Sequence, residues 1–192
     1  MMNKNFKFSI ITEGKMEGIF FSWLKDSSIF KNKTLSKCKT HTHSIKGTPS
    51  EKNICNNSKD CCDKYLIFDV DNIDKLKIEK YIKKAKEENI TLIINDPCLE
   101  LILLSFFKYF EVEKIDKKWI EEKLNIELKK IDLENYDHSP KSLGKILRFL
   151  ITSENHQEQF RINLIKYKEK QNNPKSNFID LIKVLERNNE NG

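Results

Sequence analysis

Acidic residues recur in pairs at three places in this chain. "TEGKMEG" carries Glu13 and Glu17, "FDVDN" carries Asp69 and Asp71, and "NDPCLEL" carries Asp96 and Glu100. Asp69 and Asp71 alternate on an extended chain with one residue between them, so both side chains point the same way. Like charges that close repel, and a divalent cation held by carboxylate oxygens would offset them. Glu13 and Glu17 share a helix face if Gly14 starts the helix, and Gly14 lets the chain turn tightly there. Glu100 enters the apolar run "CLELILLSFF", where a carboxylate is costly unless something pairs with it. Each piece has a plainer explanation: Asp and Asn cap helices, and first-turn acids complement the helix dipole. Three paired sets in one chain weigh against that explanation in combination.

The elements around these acids give the pairs a common place. "FKFSII" (Phe6 to Ile11), "KYLIF" (Lys64 to Phe68) and "ITLII" (Ile90 to Ile94) read as buried strands, each running into one acidic pair. "TLSKCKTHTHSI" alternates and is β-branched, which predicts a further strand. Met16, Ile19, Phe20, Trp23 and Leu24 mark one face of a helix, as do Ile78, Tyr81, Ile82 and Ala85. Thr48 and Pro49 suit the start of a short helix. A nearly all-apolar helix is expected over Cys98 to Phe110. Alternation of strand and helix predicts an α/β fold with a mostly parallel four-stranded sheet and flanking helices. In such sheets ligands bind beyond the carboxyl ends of the strands, where all three acidic pairs would gather. After Glu111 the strand signal stops. Trp119 to Ile131, Leu143 to Ile151, Phe160 to Tyr167 and Phe178 to Leu185 read as amphipathic helices. The expected organisation is therefore an α/β domain over 1–111 and a helical extension over 112–192 packed on it.

Composition narrows the function classes. The 35 basic and 29 acidic residues give a formal charge of +6, compatible with a nucleic-acid ligand, although lysine and glutamate are interspersed. No apolar run reaches membrane-spanning length, and "MMNKNFKFSII" has no signal-peptide core; a cytoplasmic protein without a membrane partner is expected. The five cysteines are an odd number, which argues against a disulfide framework. Cys38, His41, His43, Cys55, Cys61 and Cys62 cluster, but their spacing matches no paired zinc pattern, so structural zinc is not expected. No phosphate-cradling GxxxxGK[ST] follows any strand.

"ITEGKMEGIFF", "KYLIFDVDN" and "NDPCLELILLSFF", in that order, together with the closing "NNPKSNFIDLIKVLE", resemble the RloB family, whose members are similar to Toprim nucleases of the OLD type. The resemblance spans nearly the whole chain and implies a Toprim-like domain. It implies magnesium (or manganese) held by Glu13, Asp69 and Asp71, with Glu17 as a second acid of the first motif and Glu100 as the acid of the proline-cysteine motif. It further implies metal-assisted hydrolysis of RNA, transfer RNA among the targets, or of DNA. Lys141, in "SPKSLGK", is a candidate to stabilise charge on the phosphate, and Lys15 is another. The family setting implies an effector of antiphage defence by abortive infection, with an ATPase partner of the ABC type. The chain departs from the family pattern where Leu99 replaces an aromatic residue, Ile102 a tryptophan and Phe106 a histidine. Those departures favour the alternative, a catalytically inactive Toprim-like subunit that docks or regulates the ATPase.

Overall fold

The structure is a computed structural model that describes residues 7–12, 14–25, 39–44, 63–70 and 73–190, with side chains at 10–12, 14–24, 63–70 and 73–184. The elements run β1 (Lys7–Thr12), α1 (Lys15–Lys25), β2 (Lys39–Ser44), β3 (Asp63–Asp69), α2 (Lys75–Glu87), β4 (Ile90–Asp96) and α3 (Leu99–Leu104). They continue with α4 (Lys117–Lys130), α5 (Pro140–Leu150), α6 (Glu154–Glu169), β5 (Lys175–Ser176) and α7 (Phe178–Glu190). The predicted helix start at Thr48 and Pro49 lies outside the described residues, as do Cys38, Cys55, Cys61 and Cys62.

The sheet order is β2-β1-β3-β4-β5. The first four strands are mutually parallel, and β5 joins β4 antiparallel. The expected α/β class and four parallel strands are therefore present, with β5 as a short addition. Strands covered on both faces read as continuous apolar runs, and the burial here is two-sided. Ile10, Tyr65, Ile67 and Ile93 face α1 and the helices after α2. Ile11, Leu66, Phe68 and Ile90 face Tyr81 and Ala85 of α2. The first of these cores is continuous from Ile10 through Leu101 and Leu124 to Phe160 and Ile182. Residues before and after 111 thus share one apolar interior.

The later helices start where a polar side chain takes up a free N–H. Asp116 accepts from Trp119 N at 2.8 Å, Ser139 from Ser142 N at 3.0 Å and Ser153 from His156 N at 3.4 Å. Asn177 prolongs the pairing at the edge of β4: its Oδ1 accepts from Ile94 N at 2.7 Å and its Nδ2 donates to Leu92 O at 2.8 Å.

Candidate metal centre at the strand ends

Register places Asp69 beside Asn95, and Asn95 beside Ser176. Side chains link the same row. Asn95 Nδ2 donates to Asp69 Oδ1 at 3.1 Å, and Ser176 Oγ donates to Asn95 Oδ1 at 3.0 Å. The other carboxylate oxygen, Asp69 Oδ2, accepts from Leu99 N at 2.9 Å. Leu99 opens α3, and its N-cap residue Cys98 makes no side-chain capping bond. Asp69 therefore satisfies the start of α3 from a neighbouring strand, and it does not cap the helix that follows it in sequence. Asp74 caps α2, accepting from Lys77 N at 2.9 Å. Ionised carboxylates accept several bonds, so Asp69 is fixed in direction and retains lone pairs.

Glu17 and Glu100 converge on Asp69. Burial, opposed by the Leu99 N–H and sharpened by the charges of Glu17 and Glu100, holds Asp69 well above the usual carboxylate range. Burial also raises Glu17, with Glu100 again adding to the effect. Glu17 Oε2 accepts from Gly14 N at 2.9 Å, and Thr12 Oγ1 donates to Gly14 O at 2.8 Å. A Cβ at Gly14 would lie 2.8 Å from Glu17 Oε2, so a side chain there would push the Glu17 carboxylate off the Gly14 N–H. Burial, followed by the charges of Glu100 and Asp69, pushes the Cys98 thiol up; it stays protonated.

Glu100 is 3% exposed, and its Oε2 has no hydrogen-bond partner among the described residues. The nearest ammonium, Lys117 Nζ, is 3.7 Å away, beyond hydrogen-bonding reach. His138 Nδ1 lies 3.3 Å from Glu100 Oε1, and His138 Nε2 lies 3.3 Å from Glu121 Oε1. Lys117 and Glu121 are one helical turn apart at the start of α4 and share the face turned to Glu100. The buried hydroxyl of Tyr136 is raised by burial and then by Glu100 and Glu17. His138 sits at φ 59°, a conformation that non-glycine residues adopt uncommonly.

Glu17, Asp69 and Glu100 thus lie close enough for the charge of Glu100 to act on the other two. Glu13 and Asp71 lie outside the described residues. Lys141 is exposed in the first turn of α5 and makes no ion pair with Glu17, Asp69 or Glu100 among the described residues. Lys15 is exposed at the start of α1. Leu99, Ile102 and Phe106 are all core residues; Phe106 stacks on Phe160 with ring centres 4.0 Å apart. Sequence reasoning missed Lys117, Glu121, Tyr136 and His138. The available signal was the Lys117–Glu121 helical spacing and the "YDHSP" break with its lone histidine.

A divalent cation suits this donor set on two grounds. A buried carboxylate oxygen lacks a hydrogen bond among the described residues, and burial, with the charge of Glu100 adding to it, raises the proton affinity of Glu17 and Asp69, as like charges do when no cation balances them. Glu17, Asp69 and Glu100 would hold it through hard oxygen donors. No curated protein and no solved structure matches the chain. The model of the RloB-like protein family matches residues 8–185, most of the chain, and the protein belongs to that family.

Proposed function

We propose that this chain is a metal-dependent nuclease with a Toprim-like centre. The observation that carries the reading is the convergence of Glu17, Asp69 and Glu100 from three separate parts of the chain, with one buried Glu100 oxygen left without a hydrogen bond. The reaction is phosphodiester hydrolysis: a water oxygen forms a bond to phosphorus, the bond to the leaving oxygen breaks, and that oxygen takes a proton. A bound magnesium or manganese ion would polarise the phosphate and lower the pKa of water. Asp69, oriented by Asn95 and Leu99 N–H, and Glu17, oriented by Gly14 N–H, would hold it. Glu13 and Asp71 complete the set by resemblance. Lys117 lies beside Glu100 and is better placed than Lys141 to neutralise charge on a phosphate. RNA, including transfer RNA, or DNA is the proposed substrate. Antiphage defence beside an ABC-type ATPase in the cytoplasm is the proposed setting, on the family resemblance.

Cleavage of mixed DNA and transfer RNA with magnesium or manganese tests this directly. Asp69→Asn and Glu100→Gln keep side-chain volume, and melting curves check their fold. Each is expected to slow cutting at least about a hundredfold, which roughly 3 kcal/mol of lost charge stabilisation represents. Undiminished cutting in both variants would refute the centre. Phe106, buried where the family carries a histidine, favours a second reading, a docking subunit. A wild-type chain inert both alone and with its ATPase would select it.

A further inference from the structure

We infer that Glu100, Glu121 and His138 form a second cation position beside the strand-end carboxylates, one that takes a first-row transition ion such as manganese(II) in preference to magnesium. It deepens the proposed centre and rests on that reading in one respect, that Glu100 is shared between the two positions.

One ligand atom from each of the three residues lies within 4.8 Å of the others. A cation bonded at about 2.0–2.2 Å holds its ligand atoms no more than about 4.4 Å apart, so small side-chain movements close the site. Both imidazole nitrogens of His138 face a carboxylate oxygen at 3.3 Å. A neutral imidazole carries a proton on only one nitrogen. The other, when it carries no proton, presents a lone pair beside a carboxylate oxygen, a pair of donors that a cation can bridge. Glu100 is itself 3% exposed, so its carboxylate stands against this position with little water to offset its charge.

The position is also built. Asn125 Oδ1 accepts from Tyr136 N at 2.8 Å and ties the loop to α4. Asp137 Oδ1 accepts from Ser139 N at 2.8 Å, and Ser139 caps α5. The Tyr136 ring packs against the imidazole with centres 4.7 Å apart. A ligand held from both sides of its loop loses little freedom on binding. The preference follows from donor type. Magnesium favours oxygen donors and keeps its waters, whereas imidazole favours the transition ions.

The test uses the purified full chain with manganese(II) below one equivalent and magnesium in large excess. Pulsed electron paramagnetic resonance should show a nitrogen bonded to manganese, and His138→Gln should lose that signal. Manganese affinity under magnesium competition should fall at least about tenfold in His138→Gln and in Glu121→Gln. A wild-type spectrum without bound nitrogen overturns the inference, as does a nitrogen signal that persists in His138→Gln or an unchanged affinity. The wild-type spectrum needs no variant, and His138 is 47% exposed, so its replacement leaves the core intact. Absent nitrogen with cleavage retained removes this position alone. Nitrogen-bound manganese in a chain that cuts nothing, with or without its ATPase, removes the nuclease reading alone.

Discussion

At the edge of the carboxylate cluster, the ionised form of Glu17 is favoured by its own backbone N–H, the Gly14 N–H and the Lys117 charge, and burial outweighs them. Burial and Glu100 raise its proton affinity above the ordinary 4.5. A carboxyl that is harder to ionise when folded contributes stability fully present below the unfolded value and lost as pH rises through the folded one. The metal-free protein should therefore lose stability as pH climbs from about 4 toward neutrality. Glu17→Gln keeps an oxygen to accept from Gly14 and removes the charge. At neutral pH without metal it should melt roughly 2–4 °C higher, the shift that about 1 kcal/mol makes in a chain of this length. Added manganese should raise the melting temperature of the wild type more than that of the variant. A variant that melts lower than the wild type without metal would show that Glu17 is paired by charge in the fold, contrary to this account.

Helix α6 carries a different, partly buried acid–base group. His156 lies in its first turn, between the rings of Phe107 and Phe149 at 5.4 and 5.7 Å, and its Nδ1 is buried without a partner among the described residues. Burial lowers its proton affinity below the ordinary 6.5. The stability tied to neutral His156 is therefore full above that value and lost as pH falls through the lower folded one. His156→Phe keeps the ring contacts and should flatten melting temperature against pH below about 6.5; an unchanged slope would place the acid-side loss elsewhere. The same helix shows what the sequence made legible. Phe160 to Tyr167 announced it, but α6 begins at Glu154 because Ser153 caps a polar first turn that carries no apolar period. Asp116 and Ser139 move the starts of α4 and α5 earlier in the same way. β1, β3 and β4 were legible because residues on both their faces are buried; β2 was legible by its alternation. The apolar run after Cys98 was legible as burial, not as length: α3 ends at Leu104, and Ser105 O accepts from Asn163 Nδ2 of α6 at 2.9 Å. β5 has two polar residues and no pattern to find. Strand-end acids could be read because each follows its own strand. His138 and Glu121 meet Glu100 only through the packing of α4 and its loop, which periodicity does not encode.

Across the whole molecule, the larger core leaves partly buried aromatic rings at its margin with lysines over them. Lys108 Nζ stands 5.4 Å from the centre of Phe110, Lys123 Nζ 5.3 Å from Trp119 and Lys166 Nζ 5.2 Å from Tyr109. Phe110 and Trp119 touch edge to face with centres 5.1 Å apart. Trp119 and Lys117 belong to the same first turn of α4, and Lys117 reaches Glu100. Rings that can stack bases, with ammonium groups beside them for phosphates, are the components of a single-strand path. The net charge of +6 would favour any polyanion. Salt dependence therefore has to separate a local path from a diffuse attraction. Each phosphate contact adds about 0.7 to the slope of log affinity against log salt on a single strand and about 0.9 on duplex. Replacing Lys108, Lys123 and Lys166 together by Gln should make the slope shallower by about 2 on single-stranded RNA and nearer 3 on duplex DNA. Substituting three lysines far from these rings, such as Lys75, Lys80 and Lys83 on α2, should change it much less. Equal losses from the two triplets would mean that charge alone draws the nucleic acid, and the ring surface would then need no place on its path to Glu100.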